Sequence, residues 1–158
     1  MYFGDKNCYF DFFRTKQGID VDGLGGLTFF SKPIERSKEF WLLGVRLDHG
    51  LFFSQHVDAV LAAARRRRNI LSALLGRRLV NNAPALLIGY KGFIRSKIEY
   101  ASAVYSPIGV SKQEELERFQ SSCLRIVLGA RRNTPKEILN NESGSSSLRS
   151  RRDDAVLR

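Results

Sequence analysis

The chain has 158 residues, of which 43% are hydrophobic and 27% charged, a balance that is typical of a globular domain and excludes wholesale disorder. Two cysteines are too few for a disulfide scaffold, and no apolar run approaches the ~20 residues of a membrane span. Without a signal-peptide pattern at the start, we expect an intracellular protein of the nucleus or cytoplasm, not a secreted one.

The positive charge is concentrated in one part of the chain. The net charge is +10, from 26 basic and 16 acidic residues. Residues 1–52 contain seven basic and seven acidic residues, whereas the remainder contains 19 and 9. A localised basic field attracts a polyanion, either nucleic acid or an anionic membrane surface, and nucleic acid is the favoured reading.

The first third of the chain predicts short antiparallel strands. Apolar and aromatic residues crowd together at 7–15, 27–30 and 40–47, and a glycine-rich turn occupies 20–26. Trp41 is expected to lie in the core.

Helical periodicity begins near Ser54. Apolar residues at three- and four-residue spacing predict a helix over 54–76 and a second one that starts at Asn82 and ends before Pro107. On the second helix, either Phe93 or Ile94 belongs to the apolar face. Most of the aromatic side chains at helix spacing are expected to lie in the core: Tyr90, Phe93, Tyr100, Tyr105 and Phe119.

The third predicted helix has a clear beginning and end. Ser111 and Glu114 match a capping box, and Gly129 is a natural stop. A short fourth helix, capped at Thr134, would run through Leu139, followed by a serine-rich break over 140–147 and the opening of another helix. The predicted organisation is therefore a strand-rich segment at 1–52, a helical domain at 53–139, and a polar linker with a truncated helix at 140–158.

Candidate catalytic and metal-binding residues do not form a site. Asp20 with Asp22 fits a solvated turn, and Asp153 with Asp154 fits a helix surface. His49 and His56 have no cysteine or histidine cluster around them. Cys8 and Cys123 are expected to be buried or inert. The sequence therefore predicts no autonomous active site and no metal ligand.

Arginine dominates the candidate binding residues, and its planar fork suits phosphate. Between residues 65 and 132 there are 14 basic and 4 acidic residues. Four successive arginines on a helix spread over most of its circumference, so Arg67 or Arg68 must lie beside the apolar stripe. The candidate nucleic-acid-binding residues are Arg65, Arg66, Arg67, Arg68, Arg77, Arg78, Arg95, Lys97, Arg125, Arg131 and Arg132.

Three blocks follow one another at characteristic separations. They are Phe40-Trp41-Leu42-Leu43-Gly44-Val45, Arg95-Ser96-Lys97-Ile98-Glu99-Tyr100 and Leu124-Arg125-Ile126-Val127-Leu128-Gly129-Ala130. In this order they resemble the end of the palm and the thumb of non-LTR (LINE-type, jockey-like) retrotransposon reverse transcriptases, which are RNA-directed DNA polymerases. The resemblance extends across almost the whole chain, to a Thr-Pro segment at Thr134.

The resemblance implies an α+β protein with a strand remnant of the palm followed by a basic, thumb-like bundle of three to four helices. Leu43, Gly44 and Val45 would belong to a primer grip, where glycine lets the backbone approach the primer end; a glycine needed for a strand bend is the alternative. The partner would be template-primer, as RNA–DNA or DNA duplex, together with the missing palm and fingers.

The family's catalytic aspartates have no counterpart here. Mg²⁺ is therefore expected only in the complete polymerase, and this chain alone is not expected to polymerise. Three alternatives stay open: a repurposed stand-alone module that binds nucleic acid or protein, a peripheral membrane protein that uses the arginine-rich helix, and a transposon relic without function. The membrane alternative requires exposed leucines around that helix.

Overall fold

The computed structural model describes residues 8–9, 28–29, 32–33, 35–36, 39–48, 50–76 and 82–157. The chain divides into two compact units, Met1–His56 and Val57–Arg158, which are described in turn. The architecture is mixed and mostly helical, which confirms the α+β class at a coarse level. The predicted glycine-rich turn with Asp20 and Asp22 lies outside the described residues, as does His49.

The described strands are short and pair two by two. They are β1 (Cys8–Tyr9), β2 (Thr28–Phe29), β3 (Lys32–Pro33), β4 (Glu35–Arg36), β5 (Glu39–Leu42) and β6 (Val45–Asp48). The β2–β3 and β5–β6 pairs are antiparallel, but β1 and β4 pair in parallel. The expectation of antiparallel strands is therefore wrong for β1 and β4, because local apolar patterns carry no information on the direction of a distant partner.

A tight turn joins β5 to β6. Leu42 pairs with Val45, so the loop has two residues, Leu43 and Gly44, with φ of 48° and 81°. Positive φ at both central residues is the pattern of a type I′ hairpin turn, whose twist matches that of the strands. Glycine adopts this conformation without a steric penalty, so the turn itself accounts for Gly44.

The two faces of the β5–β6 hairpin differ in burial. Val45 and Leu47 are buried, while Trp41 is 54% exposed. Residues directly opposite each other in an antiparallel pair share a face, and Trp41 lies opposite Arg46. The expectation that Trp41 lies in the core is wrong, because strand alternation places it on the face away from the buried valine and leucine.

Asp48 shapes the connection from β6 to the first helix. Its carboxylate accepts the backbone N–H of Phe53 at 2.8 Å and that of Phe52 at 3.0 Å. A few residues on, the buried His56 accepts the backbone N–H of Arg46 through Nδ1 at 3.2 Å. This histidine therefore has a structural task within the first unit.

Helices make up the described part of the second unit, apart from connecting turns. They are α1 (Ser54–Gly76, beginning in the first unit), α2 (Ala83–Gly89), a π-helical segment (Tyr90–Arg95), α3 (Ser96–Glu99), α4 (Val110–Leu128), α5 (Lys136–Ser143) and α6 (Leu148–Val156). The second predicted helix is thus a continuous run over 83–99 that contains a π segment. It ends earlier than expected because Ala101, with φ of 54°, takes a left-handed conformation.

Helix α4 lies at the centre of the second unit and contacts α2, the π segment, α5 and α6. Its predicted apolar stripe is buried, as is that of α1 over Val57, Val60, Leu61 and Ala64. These two stripes confirm the helical periodicity read from the sequence.

The helix starts differ from the predicted caps. α4 begins at Val110 with Gly109 as its N-cap, so the capping box is wrong: Ser111 already lies inside the helix, and Glu114 pairs with Arg118 at 2.6 Å. α5 follows Pro135 without a side-chain cap, which makes the Thr134 cap wrong as well. One side-chain cap that the sequence did not reveal is at α6, where Ser147 Oγ accepts the N–H of Ser150.

Two glycines end helices in the left-handed conformation. Gly129 has φ of 62°, and the N–H of Ala130 bonds back to the carbonyl of Arg125 at 2.9 Å, which confirms the predicted stop of α4. Gly144, with φ of 57°, ends α5. The fourth helix therefore continues past Leu139 to Ser143, into the stretch that was expected to be a break.

Candidate nucleic-acid interface

The four arginines of α1 face different surroundings, as the helical geometry predicts. Arg68 turns toward α4, where its guanidinium donates to Ser122 Oγ at 3.3 Å and lies 5.7 Å from the centre of the Phe119 ring. The expectation that at least one of these guanidinium groups is held close to the domain is confirmed. Arg66 is exposed and makes no hydrogen bond, ion pair or ring contact within the described part of the chain.

A rim of ion pairs joins α1 to α4. Arg65 pairs with Glu115 at 2.8 Å, and Lys112 contacts both Asp58 and Glu115. Exposed pairs of this kind contribute between about 0 and 1 kcal/mol each. Arg65 is therefore available to a competing phosphate at low cost.

Phe93 and Tyr100 each have a cation over one face of the aromatic ring. Arg67 donates to the carbonyl of Phe93 at 2.6 Å, and its guanidinium lies 5.1 Å from the centre of the Phe93 ring. Lys97 Nζ lies 5.8 Å from the centre of the Tyr100 ring. Phe93 is 57% exposed and Tyr100 51%.

The exposure of Phe93 and Tyr100 corrects the expectation that the helical aromatics are core residues. Tyr90, Tyr105 and Phe119 are buried, as expected. Ile94, not Phe93, takes the inward position, because the π segment changes the winding at this point. The signal in the sequence was the alternative between Phe93 and Ile94, which α-helical spacing could not decide.

Arg95, a predicted binding residue, makes an ion pair within the fold. Glu99 receives Arg151 through both carboxylate oxygens, with the Nη2–Oε2 distance at 3.2 Å, and Arg95 Nε lies 3.4 Å from Glu99 Oε1. This half-buried network ties α3 to α6. A bidentate arginine–carboxylate pair is among the stronger polar contacts, so the network fixes α6 on the unit.

Arg125 likewise makes an internal contact. Its Nη2 donates to the carbonyl of Thr134 at 2.9 Å and so fastens the loop at 129–135 to the end of α4. Arg131 and Arg132 lie on that loop, and their exposed guanidinium groups make no contact in the described part of the chain. One arginine thus holds in place the loop that presents two others.

Arg152 is 4% exposed, and both of its terminal guanidinium nitrogens lack an acceptor among the described residues. Burial lowers the pKa of this guanidinium, and Tyr105 and Glu117 offset the effect in part. Desolvation of this charge therefore lowers the free energy of unfolding.

Among the predicted interface residues, Arg66, Arg131 and Arg132 are exposed, and two others have no described position. Arg77 and Arg78 lie outside the described residues. Leu43, Gly44 and Val45, the primer-grip candidates, form the hairpin of the first unit. Their binding role stays a prediction.

A groove of about 700 Å³ runs along α4, α5 and the start of α6. Its charged lining residues are Arg118, Arg125, Lys136, Arg149, Glu114, Glu117 and Glu137. Glu117 accepts the backbone N–H of Arg149 at 2.8 Å and so stabilises the N-terminus of α6. With four basic and three acidic side chains in its lining, the groove carries little net charge.

Perturbed groups in the second unit do not resemble a catalytic centre. Burial raises the pKa of the Cys123 thiol to about 12 and that of the Tyr105 phenol to about 12, and it also raises the pKa of Tyr90. Cys123 is buried, as expected, and its raised pKa disfavours the nucleophilic thiolate. Within the described residues, no group of three or more acidic, cysteine or histidine side chains is placed to hold a metal.

No protein-family model matches the chain, and no curated protein or solved structure shows a significant similarity to it. Over residues 50–76 and 82–157, no helix has both the length and the apolar character needed to cross a bilayer.

Proposed function

We propose that the helical second unit grips the sugar-phosphate backbone of a nucleic-acid duplex, as the thumb-like part of a non-LTR reverse transcriptase. The observation that carries this proposal is a set of exposed guanidinium groups, those of Arg66, Arg131 and Arg132, without contacts in the described part of the chain. They are called the outer arginines below.

Free guanidinium groups are suited to phosphate. Each can donate two parallel hydrogen bonds to one phosphate, and none has to break an internal ion pair first. Contacts of this kind position a protein on the duplex but carry little sequence information. The expected ligand is therefore template-primer, recognised by shape and charge, as RNA–DNA or DNA duplex.

In this role the chain binds and does not catalyse. The proposed polymerase would need the palm and fingers to supply the aspartates and the Mg²⁺ that they hold. The resemblance at residues 40–45, 95–100 and 124–130 supports the assignment to that family, and so does the basic charge of the second unit.

A salt series tests the grip. The full chain is titrated with a labelled RNA–DNA primer-template at several salt concentrations, beside the variants Arg66→Gln and Arg131→Gln/Arg132→Gln. The logarithm of affinity should fall steeply with the logarithm of salt, and each lost phosphate contact should reduce the slope by roughly 0.9.

Arg118→Gln is the matched control. It removes the same charge from an exposed helix position, but Arg118 is already paired with Glu114. Its slope should equal that of the wild type. An equal change in Arg118→Gln and Arg66→Gln would mean that net charge, not the outer arginines, determines binding. Absence of binding at low salt would refute the grip.

The burial of α1 bears on the membrane alternative. It requires an apolar face of α1 that is open to lipid, but Val57, Val60, Leu61 and Ala64 are all buried. Arg68 is also turned toward α4. Over residues 57–64 the predicted apolar stripe of α1 is therefore not open to a bilayer, whereas Ile70, further along the helix, is 55% exposed.

A further inference from the structure

Phe93 and Tyr100 differ from the other aromatic residues of the second unit in being about half exposed while a cation holds one ring face. Arg67 covers one face of Phe93, so the exposed 57% lies largely on its edge and opposite face. The same guanidinium bonds to the Phe93 carbonyl, which limits how the ring and the cation can move apart. Lys97 and Tyr100 form the second pair.

Apolar ring surface that is left in water has an unfavourable hydration free energy. An exposed ring is, however, available to stack on a planar ligand. A nucleic-acid base laid on an aromatic face gains stacking energy whatever its identity, and an adjacent cation binds the phosphate that follows the base. A base inside a duplex is already stacked on its neighbours, so only an unpaired base can use such a ring.

We propose that the Phe93–Arg67 and Tyr100–Lys97 pairs form a stacking platform for unpaired bases of a single strand that continues from the duplex. This inference rests on the proposed function, because it assigns the strand beyond the gripped duplex to the same unit. The two rings are seven residues apart along the chain, on a run that is helical up to Glu99.

Charge favours a nucleic acid over a protein as the occupant. The nearest acidic residue along this run, Glu99, is taken by Arg151 and Arg95, so its charge is neutralised within the fold. Lys91 lies on the π segment, half-buried, and Arg66 lies next to Arg67 on α1. The rings are thus bordered by positive charge that a polyanion would neutralise.

The test compares one RNA–DNA duplex with blunt ends and the same duplex with a short 5′ template overhang, both bound by the full chain. Phe93→Leu and Tyr100→Leu remove the ring and keep an apolar side chain. Each should weaken binding to the overhang substrate roughly 5- to 100-fold, with blunt-duplex affinity and the salt slope unchanged. Phe93→Trp should restore or strengthen overhang binding.

Phe52→Leu is the matched control, since Phe52 is an exposed aromatic residue of the first unit with no cation over its ring in the described structure. Thermal melts establish that each variant is folded. The platform is refuted if both leucine variants leave overhang binding unchanged, if they weaken blunt and overhang binding equally, or if Phe52→Leu has the same effect.

The two proposals fail in different ways. If the wild type binds blunt duplex with a steep salt slope and the overhang adds nothing, the platform is wrong and the duplex grip stands. If the overhang substrate binds through Phe93 while the blunt duplex does not bind, the grip is wrong and the platform stands.

Discussion

Arg66 and Arg68 are two residues apart on α1 and carry the same guanidinium group, but only Arg68 makes contacts within the fold. Two helical steps rotate the side chain by about 200°, so one faces solvent and the other reaches Ser122 and Phe119 on α4. The difference shows that position around the helix decides whether an arginine holds the fold or faces a partner.

The same division extends through the second unit. The inner arginines, which make internal contacts or are buried, are Arg68, Arg95, Arg125, Arg151 and Arg152. The outer arginines, on α1 and on the loop after α4, make no side-chain contact in the described part, and neither does the exposed Arg149 of α6. The net charge of +10 therefore overstates the charge that a partner would meet.

Replacing Glu99 by alanine is the strongest test of the inner set. The substitution leaves Arg95 and Arg151 beside each other without their carboxylate, and the loss of these partly exposed charged hydrogen bonds costs about 2 kcal/mol of unfolding free energy. Urea unfolding measures the loss. The salt slope of nucleic-acid binding should not change.

Glu115→Ala is the control for that measurement, since Glu115 pairs with Arg65 and Lys112 on the exposed rim. It should cost at most about 1 kcal/mol. Equal losses for the two variants would contradict the division into inner and outer cations.

Alkaline pH probes the neutral groups beside the inner arginines. Cys123 and Tyr105 have pKa values raised to about 12, from ordinary values of 9.0 and 10.0, because burial disfavours their anions. The unfolded chain releases these protons first, so stability is complete below pH 9 and falls as pH rises toward 12, by about 1.4 kcal/mol per unit for one group. Between pH 8 and pH 10.5, urea unfolding should show that the Cys123 thiol alone contributes a loss of about 2 kcal/mol.

Cys123→Ala distinguishes the contribution of the thiol to alkaline unfolding from that of the other titrating groups. The variant is less stable at pH 8 because it leaves a cavity, but it should lose less stability between pH 8 and pH 10.5 than the wild type. An identical loss in both proteins would show that the Cys123 thiol does not contribute to the alkaline transition.

Arg68→Ala and Arg66→Ala apply the comparison to neighbouring positions. Arg68→Ala should lower the free energy of unfolding by about 1 kcal/mol through the lost ring contact and hydrogen bond. Arg66→Ala should change it by less than about 0.5 kcal/mol and reduce the salt slope by roughly 0.9. Thermal unfolding gives the change in stability, and the binding series gives the change in salt slope. A larger stability loss for Arg66→Ala, or a larger slope change for Arg68→Ala, would contradict the assignment of Arg68 to the fold and Arg66 to the partner.

Arg152→Met is expected to stabilise the fold, whereas the other substitutions destabilise it or change its stability very little. The buried guanidinium has no acceptor for its terminal nitrogens among the described residues, so an apolar side chain of similar length removes a desolvation cost. The free energy of unfolding should rise by about 1 kcal/mol in urea titrations. A loss of that size or more would mean that Arg152 has a stabilising partner.

Periodicity predicted the parts of the fold that repeat locally. The stripes of α1 and α4 follow from apolar residues at three- and four-residue spacing, and the stop at Gly129 follows from its tolerance of positive φ. The capping box failed because the helix starts two residues earlier than predicted, with Gly109 and not Ser111 as its N-cap, a shift that the pattern does not encode.

Contacts between distant residues were not predictable from one sequence. Nothing local joins Glu99 to Arg151 or Arg125 to the Thr134 carbonyl, and these contacts decide which arginines are free. The sequence placed at least one guanidinium of the α1 run beside the core, which geometry alone requires. It could not choose between Phe93 and Ile94, because that choice depends on a change of winding.

The π segment has a consequence for how this helix can vary. The inward residues Leu86, Tyr90, Ile94 and Ile98 recur every four residues. In a regular α-helix each such step overshoots a full turn by about 40°, so the row would drift around the cylinder. The looser winding of the π segment rotates the row back, so that the four residues stay on one face of the helix. Substitutions on this row change one contact, but deletion of a single residue within it would shift the phase of everything downstream.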